Sequence, residues 1–421
     1  MAEKYLAYPE YKNTDSEWVS EIPVHWEPIL FKRVIIQIKD GTHGTHARVS
    51  EGFPFLSAKN VLHKGVEISD SESMVSEKDY KEITANGFPK KGDLLITCVG
   101  TIGRTCVYEF DKPYAFQRSV AFLRLSDLAE PKFYKYFVES KNYQSQLEAN
   151  SKASAQSGVY MGDLVSTSTV LLPKDEQKSI ANFLDYQTAQ IDTLIEKQQT
   201  LIQLLKEKRQ AVISHAVTKG LNPNAPMKDS GVEWLGDVPE HWEVGRLKNV
   251  LRIRNGRDYK EVEVESGGYP VYGSGGIFKR SSDYLFDGES VLFGRKGTID
   301  KPLLVSGKFW TVDTMFYSEV SNNAKPEYVY HQALLFPFDK LSTNTALPSM
   351  TQEDLLNLGF VIPPFDEQKE ICQYLSNKLN VFSNLVSKAE QTIQLMQERR
   401  SALISAAVTG KIDVRGWQAS E

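Results

Sequence analysis

A tandem duplication limits the architecture of this chain more than any other feature of its sequence. Three phrases occur twice and in the same order, which chance does not explain. The pairs are EWVSEIPVHWE (17–27) with EWLGDVPEHWE (233–243), GDLLITCVGTIG (92–103) with GESVLFGRKGTI (288–299), and PKDEQKSIANFL (173–184) with PPFDEQKEICQYL (363–375). The last pair continues into LLKEKRQAVISHAVTKG (204–220) and LMQERRSALISAAVTGK (395–411). The chain therefore consists of two copies of one plan.

Each copy begins with a lobe rich in short β-branched and aromatic runs that Gly and Pro interrupt. The lobes cover roughly residues 15–172 and 230–362, and LLITCVG, SVAFLRL, SVLFGRKG and FWTVDTMFYSEV are typical runs. Such runs predict β-strands, whereas PKFYKYFVESKNYQSQL and PEYVYHQALL predict helices. The lobes are thus predicted to be mostly β with a few helices.

Each copy ends in a predicted long helix. Neither Gly nor Pro occurs between Asp175 and Lys219, Asp175 is a suitable N-cap, and Gly220 ends the run. A helix of about 43 residues extends roughly 65 Å. Apolar residues recur at a spacing of about 3.5 residues. Those assigned to a helix seam or to partner docking are Ile180, Leu184, Ile191, Leu194, Leu201, Leu205 and Val212 in the first copy, and Ile371, Leu375, Phe382, Leu385, Ile393, Met396 and Leu403 in the second.

The wide apolar stripes predict that the two helices pack on each other. Connectivity allows a parallel or an antiparallel pair, and the antiparallel pair relates the copies by a pseudo-two-fold axis. We therefore predict an α+β fold with two mostly-β lobes separated by two long helices packed as an antiparallel coiled coil. The predicted bounds are 1–174 for the first lobe, 175–219 for the central helix, 220–365 for the second lobe, 366–411 for the C-terminal helix and 412–421 for a tail.

Composition argues against several classes of protein. The three cysteines, Cys98, Cys106 and Cys372, are too few and too scattered for a disulfide framework or a zinc cluster. No apolar run reaches the length of about 18 residues that predicts a membrane span, and the N-terminus has no apolar signal core. These features predict a protein of the reducing cytoplasm. The net charge of −5 gives no overall indication of nucleic-acid binding.

A search for catalytic motifs finds no convincing catalytic site. In VIPPF, Ile362 stands where an adenine methyltransferase needs Asn or Asp before Pro-Pro-aromatic. YGSGGIF lacks the lysine of a phosphate-binding loop, so a flexible turn is the better interpretation. His43 and His46 have no further ligand nearby, so no metal site is predicted. His25 and His241 are predicted to be structural, packing beside their tryptophans.

Local charge is more informative than the total charge. Residues 246–260 hold six basic residues against one acidic residue, and residues 30–64 hold six against two. Gly, Thr, Asn and Ser are interleaved with these charges and suit hydrogen bonding to phosphates and base edges. A solvated surface strand is the alternative that composition alone leaves open.

Taken together, these motifs resemble the specificity (S) subunit of type I restriction–modification enzymes over nearly the whole chain. The resemblance rests on the duplicated helix openings with DEQK, on the helix ends with IS.AVT, and on the entrances with P.HWE. The lobe motifs DGTHGTH with GFPFLSAKNV, and YPVYGSGGI with LFGRKGTI and FWTVDTMF, add to it.

The resemblance implies a division of labour between this chain and its partners. Each lobe would be a target recognition domain that reads one half of a split double-stranded DNA sequence. The helices would act as a spacer and as the docking surface for two methyltransferase (modification) subunits. A motor or nuclease (restriction) subunit would join when present. No cofactor is expected in this chain, because AdoMet, ATP and magnesium would bind the partner subunits.

By the same resemblance, the chain itself is expected to be non-catalytic and to have no membrane partner. Two other interpretations stay open. One is a free-standing two-lobed DNA-binding protein, and the other is a coiled-coil scaffold that does not touch DNA.

DNA contacts are predicted at the basic starts of the lobes and in their glycine-rich loops. The candidates are Lys39, Thr42, His43, Thr45, His46, Arg48, Lys59 and Asn60 in the first lobe, and Arg254, Asn255, Arg257, Ser274, Lys279, Arg280, Arg295 and Lys296 in the second.

Overall fold

The computed structural model describes residues 5–85, 87–151, 158–342 and 348–419. The chain divides into two compact units. The first unit comprises Met1–Gln198 and Gln391–Glu421, and the second comprises Gln199–Glu390. Each unit therefore contains one lobe together with part of each long helix. In the described ranges, no helix is long and apolar enough to cross a membrane.

The first lobe is mostly β, with short helices and the long helix α5 at its end. Its strands are β1 Tyr11–Asn13, β2 Glu21–Pro23, β3 Glu27–Leu30, β4 Ile35–Asp40, β5 Phe53–Leu56, β6 Val61–Leu62, β7 Gly65–Val66, β8 Met74–Val75, β9 Leu94–Thr97, β10 Thr105–Val107, β11 Ala115–Phe116, β12 Val120–Leu125 and β13 Ser168–Leu171. Its helices are α1 Glu77–Ile83, α2 Pro131–Glu139, α3 Lys141–Asn150, α4 Met161–Val165 and α5 Lys174–Lys219.

The second lobe follows the same plan and ends in the long helix α9. Its strands are β14 Met227–Asp229, β15 Asp237–Pro239, β16 Glu243–Arg246, β17 Leu251–Asn255, β18 Glu263–Val264, β19 Tyr269–Gly273, β20 Gly276–Ser281, β21 Phe286–Asp287, β22 Ser290–Gly294, β23 Leu303–Val305, β24 Lys308–Thr311, β25 Met315–Val320 and β26 Gly359–Ile362. Its helices are α6 Pro326–Ala333, α7 Phe338–Leu341, α8 Gln352–Leu356 and α9 Phe365–Val408.

Both lobes are built on the same four-stranded antiparallel sheet. Its strand order is β4–β12–β9–β10 in the first lobe and β17–β25–β22–β23 in the second. The central strands carry continuous apolar runs, and residues 94–96 and 291–293 are fully buried. Short continuous runs of this kind are typical of strands covered on both faces. The matching strand orders confirm the predicted duplication.

A second sheet in each lobe carries one parallel pair. Strand β5 pairs in parallel with β11 in the first lobe, and β19 pairs in parallel with β24 in the second. The chain then passes directly from β11 to β12 and from β24 to β25. In each lobe, a short connection therefore leads from the second sheet into the middle of the first.

The two long helices run antiparallel, as predicted. In the first unit, Ile180 and Leu184 near the start of α5 share a buried cluster with Leu403 near the end of α9. In the second unit, Ile213 near the end of α5 shares a cluster with Ile371 near the start of α9. The 46 residues of α5 correspond to a length of about 69 Å.

The apolar stripe predicted for the helices is buried at the helix ends and open in the middle. Residues 194, 201 and 385 have 46%, 43% and 44% of their surface exposed. The ends are covered because they pack into the cores of the lobes. Of the seam candidates, Ile180, Leu184, Ile191, Ile371, Leu375 and Leu403 are buried, Leu205, Val212, Phe382, Ile393 and Met396 are partly buried, and Leu194, Leu201 and Leu385 are exposed.

The repeated DEQK phrase joins each lobe to the start of its long helix. Gln177 is fully buried. Its Nε2 donates to the carbonyls of Leu128 and Leu172, both at 2.9 Å, and its Oε1 accepts from the backbone N–H of Glu130 at 2.8 Å. Glu130 is the N-cap residue of α2. One side chain therefore fixes three backbone groups at the junction of lobe and helix.

The second copy repeats this junction atom for atom. Gln368 is also fully buried. It donates to the carbonyls of Asn323 and Pro363 at 2.9 and 3.0 Å, and it accepts from the N–H of Lys325 at 2.9 Å. Lys325 is the N-cap residue of α6. The phrase recurs because both copies need the same three hydrogen bonds.

The ends of the helices lie close to the predicted bounds. Helix α5 begins at Lys174 and α9 begins at Phe365, each one residue before its predicted start. Helix α9 ends at Val408, and Gly410 follows with a φ of +72°. A Cβ at Gly410 would lie 2.5 Å from the ring of Pro23. The turn after α9 therefore requires glycine for its conformation and for its close approach to the entrance of the first lobe.

Candidate nucleic-acid interface

In each lobe, the chain just after the first strand of the four-stranded sheet (β4 or β17) crosses the short connection between the two sheets (β11 to β12, or β24 to β25). The crossing is so close that only glycine fits. A Cβ at Gly41 would lie 2.2 Å from the carbonyl oxygen of Gln117, and a Cβ at Gly256 would lie 2.0 Å from that of Val312. Glycine at these positions lets two backbones approach without a side chain between them.

In both lobes, the residue after the crossing glycine makes the same backbone hydrogen bond. The N–H of Thr42 donates to the carbonyl of Phe116 at 2.9 Å, and the N–H of Arg257 donates to that of Thr311 at 2.9 Å. The two lobes thus place two short segments side by side in the same way. We call residues 41–43 with 117–118 the first corner, and residues 256–258 with 312–314 the second corner.

The end of the parallel strand supports each corner from the other side. The N–H of Gln117 donates to the carbonyl of Leu56 at 2.8 Å, and the N–H of Val312 donates to that of Tyr272 at 3.1 Å. The segments after β5 and β19 therefore lie next to the corners. These segments contain the candidates Lys59 and Asn60 in the first lobe and Ser274 in the second.

The two histidines of the first-lobe loop form separate pairs. Nε2 of His43 lies 2.6 Å from Asp40, and its side chain is 64% exposed. The side chain of His46 is only 8% exposed, with Nε2 3.1 Å from Oγ1 of Thr42 and Nδ1 3.2 Å from Asp79. Hydrogen bonds from Ser76 and then His46 lower the pKa of Asp79. His46 therefore supports the loop from its buried side, whereas His43 lies at the surface of the loop.

Three of the first-lobe candidates are brought together directly. Lys39, Thr42 and His43 line one cavity of about 280 Å³ with the rings of Phe88 and Phe116. The ammonium of Lys39 lies 5.8 Å from the centroid of the Phe88 ring. A basic group, a hydroxyl and an imidazole therefore surround one apolar recess beside the first corner.

The other first-lobe candidates differ in what their side chains contact. The guanidinium of Arg48 lies 4.4 Å from the Phe55 ring and donates to the carbonyl of His46 at 2.8 Å. Thr45 is exposed. Lys59 forms an ion pair of 3.0 Å with Glu72. Burial opposes ionisation of Glu72, but hydrogen bonds from Lys59 and Asn60 hold its pKa below the usual value.

Asn60 is placed for a structural role within the first lobe. Its side chain is buried, its Oδ1 accepts from the N–H of Ser57 at 2.9 Å, and its Nδ2 donates to Glu67 and Glu72 at 2.9 and 2.8 Å. All of its amide groups are used inside the lobe. We therefore leave Asn60 and the buried His46 out of the DNA surface proposed below.

Several second-lobe candidates are held by neighbours in the sheets. Arg254 makes a two-point contact with Glu319, at 3.0 and 3.2 Å. Oδ1 of Asn255 accepts from Gln352 at 3.0 Å. Lys279 pairs with Glu263 at 2.5 Å, and Arg280 donates to a backbone carbonyl at 3.3 Å. The two ion pairs locally offset the charges of Arg254 and Lys279.

The loop after β22 lies against the second corner. The N–H of Arg295 donates to the carbonyl of Thr314 at 2.8 Å, and its guanidinium donates to that of Asp313 at 3.4 Å. Lys296 is exposed and its backbone bridges to Ser349. The turn that carries Ser274 joins β19 to β20. Arg295, Lys296 and Arg257 thus lie on adjoining segments of one surface.

No cluster of three or more His, Cys, Asp or Glu side chains suited to a metal ion occurs in the described residues. All three cysteines are free and buried. Burial raises the pKa of the Cys98, Cys106 and Cys372 thiols to about 12, so they stay protonated at neutral pH.

A comparison with known families decides the identity of the duplicated lobes. The model of the family described as "Type I restriction modification DNA specificity domain" matches residues 39–204 and again residues 239–395. The chain belongs to this family. It is a specificity subunit with two such domains, and each match contains one corner and most of one long helix.

Curated relatives resemble this specificity subunit over most or nearly all of its length. It is 22% identical to the "Putative type I restriction enzyme MjaX specificity subunit" of Methanocaldococcus jannaschii, over 97% of this chain and 99% of the relative. It is 23% identical to the MjaIX specificity subunit of the same organism, over 98% of each chain. The EcoKI specificity subunit of Escherichia coli K12 is 20% identical, over 76% of this chain and 73% of the relative.

Solved structures share the fold of the specificity subunit. A chain from work described as the structural basis of complex assembly and conformational transition of the type I R-M system matches with a TM-score of 0.72. The identity is 14%, over 92% of this chain and 98% of the other. The HsdS subunit of Thermoanaerobacter tengcongensis matches with a TM-score of 0.53 and 15% identity, over 93% and 98%.

One corner residue of the specificity subunit was absent from the sequence candidates. Arg118 is exposed, and its N–H donates to the carbonyl of Thr42 at 3.1 Å. It lies far along the chain from the basic start of the first lobe, so counting charges there does not find it. The signal that could have found it is the match of YAFQRSVAF (114–122) with FWTVDTMFY (309–317), which places Gln117 and Arg118 opposite Val312 and Asp313.

Proposed function

We propose that this specificity subunit supplies DNA sequence recognition to a type I restriction–modification complex, with each lobe reading one short block of a bipartite duplex target. The observation that carries the proposal is the pair of corners. Both corners have the same glycine crossing and the same backbone hydrogen bond, yet their side chains differ. A fixed frame that presents different polar groups is what two readers of different base blocks need.

The candidates around each corner that are exposed or half-buried form the proposed DNA surface. In the first lobe these are Lys39, Thr42, His43, Thr45, Arg48 and Lys59. In the second lobe they are Arg254, Asn255, Arg257, Ser274, Lys279, Arg280, Arg295 and Lys296. Residues already paired with acids, such as Lys59 and Arg254, are best suited to phosphate contacts, because a phosphate can replace a carboxylate as the partner of the cation.

The open stripe on the helices is the proposed docking surface for methyltransferase subunits. Beyond the first turns of α5 and α9, six large apolar side chains of these helices are more than 40% exposed: Leu194, Leu201, Leu204, Val381, Leu385 and Leu395. A run of exposed apolar side chains marks an interaction site more often than a free surface. We infer that the chain works in the reducing cytoplasm, which its three free cysteines fit.

The chain itself is proposed to be non-catalytic. Chemistry would come from the partners, with AdoMet on the methyltransferase subunits and ATP with magnesium on the motor or nuclease subunits. This division fits the sequence, in which Ile362 replaces the polar residue of an adenine methyltransferase motif.

Reconstitution tests the proposed function. The purified chain alone, supplied with AdoMet or with ATP and magnesium, is expected neither to methylate nor to cut DNA. Addition of the cognate methyltransferase subunit should produce methylation at a target of two short blocks separated by an unread gap. Activity of the chain alone, or methylation that ignores sequence in the complex, would contradict the proposal.

A further inference from the structure

We propose that Arg118 of the first lobe and Arg257 of the second lobe each read a guanine, one in each block of the target. The inference rests on the proposed function and deepens it, because it names the residues that determine specificity. Arg257 lies within the basic segment of the second lobe, whereas Arg118 lies outside the basic segment of the first lobe.

The two arginines occupy the two sides of the same crossing. Arg257 follows Gly256, and its N–H donates to the carbonyl of Thr311 on the connecting segment. Arg118 lies on the connecting segment itself, and its N–H donates to the carbonyl of Thr42, which follows Gly41. Each corner therefore presents one guanidinium, carried by opposite segments of a shared frame.

Hydrogen bonds hold the backbone at both positions. In the first corner, Gln117 is fixed to Leu56 at 2.8 Å and its carbonyl accepts from Val120 at 3.2 Å. In the second corner, the carbonyl of Arg257 accepts from Nε1 of Trp310 at 2.9 Å. A base-reading side chain is effective when the backbone that carries it is already ordered, because less conformational freedom is lost on binding.

The charges of these arginines are available to a ligand. Both residues are exposed. In the part of the chain that the structure describes, no ion pair involves either guanidinium, whereas Arg254 is paired with Glu319 at 3.0 Å. Arg252 also has no such ion pair, but it lies directly opposite Glu319 in the sheet register. Arg118 and Arg257 thus combine a position at a corner with a free set of donors.

Guanine is the base that fits this chemistry. Its O6 and N7 atoms in the major groove accept a two-point contact from the planar guanidinium, and each such contact discriminates against other bases by roughly 10-fold or more. A lysine carries the same charge but cannot make the planar two-point contact. The inference therefore predicts different outcomes for replacement of Arg118 by lysine and for removal of its charge.

The test is a binding selection from randomised duplexes with the chain in complex with its methyltransferase subunits. Arg118→Ala should lower affinity for the wild-type target by roughly 10-fold or more and remove the preference for guanine at one position of one block. Arg118→Lys should keep most of the affinity and lose the same preference. Arg257→Ala should do this in the other block only.

Arg33→Ala is the matched control in the first lobe. Arg33 is exposed, pairs with Glu27 and precedes β4, whereas the first corner follows the far end of that strand. Its removal should leave both blocks unchanged. Far-UV circular dichroism checks that each variant is folded, and the exposure of the three side chains makes folding of the variants the expected result.

The outcomes separate this inference from the proposed function. A wild-type complex that binds all sequences equally would end the proposed function and the inference with it. A wild-type complex that selects two blocks, with variants that select the same two blocks, would end the inference alone. Uniform weakening at all sequences after Arg118→Ala would show a phosphate contact and would also overturn it.

Discussion

Oε2 of Glu176, in the first turn of α5, lies 2.9 Å from Nε2 of His25 at the entrance of the first lobe. The second copy repeats the contact between Glu367 and His241 at 2.8 Å. The two phrases, whose contacting residues are 151 positions apart in the first copy and 126 in the second, thus meet in space. Both histidines are structural, as predicted. The rings of His25 and Trp26 pack with their centroids 6.5 Å apart.

The two copies of this contact differ in burial, and this difference gives a stability prediction. Oε1 of Glu176 also accepts from Tyr8 at 2.7 Å and from Trp26 at 3.0 Å, and Glu176 is buried. Glu176→Ala should lower the free energy of unfolding of the first unit by about 3 kcal/mol, because it leaves a buried hydroxyl and a buried indole N–H without an acceptor. Burial and then the hydrogen bond to Glu176 raise the pKa of Tyr8, so its hydroxyl stays protonated at neutral pH and keeps a proton to donate.

Glu367→Ala is the matched control for this change. In the described residues Glu367 has His241 as its hydrogen-bond partner, whose side chain is 52% exposed. The cost should stay below about 1 kcal/mol. Urea denaturation of the full chain measures both variants, and equal losses would contradict the account of the first entrance.

The buried Gln177 and Gln368 predict that their removal lowers the free energy of unfolding by equal amounts in the two units. Gln177→Leu and Gln368→Leu each keep the side-chain volume and remove three hydrogen bonds to backbone groups, so each should cost about 3 kcal/mol. Gln203→Leu is the control on α5, because Gln203 is exposed and bonds to Glu207. A large loss for one glutamine and none for the other would show that the phrase does not have the same role in both copies.

The buried His331 predicts that the stability of the second unit depends on pH. Burial, and to a smaller extent the charge of Arg209, lowers the pKa of His331 to about 4 from its usual 6.5. Between these two values the unfolded chain binds a proton that the folded chain does not, so stability falls as the pH drops. At pH 5 this amounts to about 2 kcal/mol relative to neutral pH.

His331→Gln should remove this loss. Urea denaturation at pH 7 and at pH 5 is the measurement, and the difference between wild type and variant isolates the histidine from the carboxylates that also titrate. An equal loss in both proteins between the two pH values would show that His331 stays accessible to protons in the folded state.

Arg295 and Lys296 predict a change in DNA affinity and in its dependence on salt. Arg295→Ala combined with Lys296→Ala should weaken binding by the complex and reduce the salt slope by about one to two. Lys248→Ala combined with Lys340→Ala removes the same charge elsewhere on the second unit and should have a smaller effect. Unchanged affinity in the first double variant would remove this pair from the DNA surface.

The architecture could be predicted from the sequence because it depends on local signals. The glycine-free stretch from Asp175 to Lys219 predicts a long helix, and the repeated phrases predict the duplication. The site could be predicted only in part, because its residues meet through strand pairing. Thr42 and Arg118 are 76 positions apart and become neighbours because β4 pairs with β12, so that the residues after β4 lie beside the residues before β12.

Burial is the other property that the sequence pattern does not predict. Asn60 resembles a surface residue in sequence, next to Lys59, but Glu72 and the backbone of Glu67 enclose its amide. The seam shows the same effect in reverse. Leu201 continues the apolar stripe of α5 and is nevertheless 43% exposed.

Exchange of one lobe tests the central claim most directly. The second lobe, from Leu247 to Leu358, is replaced by the matching lobe of a relative with a different known target, and methylated adenines are mapped with the reconstituted complex. We predict that one block changes to that of the donor while the other block stays as in the wild type. A contiguous target, or a single exchange that alters both blocks, would contradict the account.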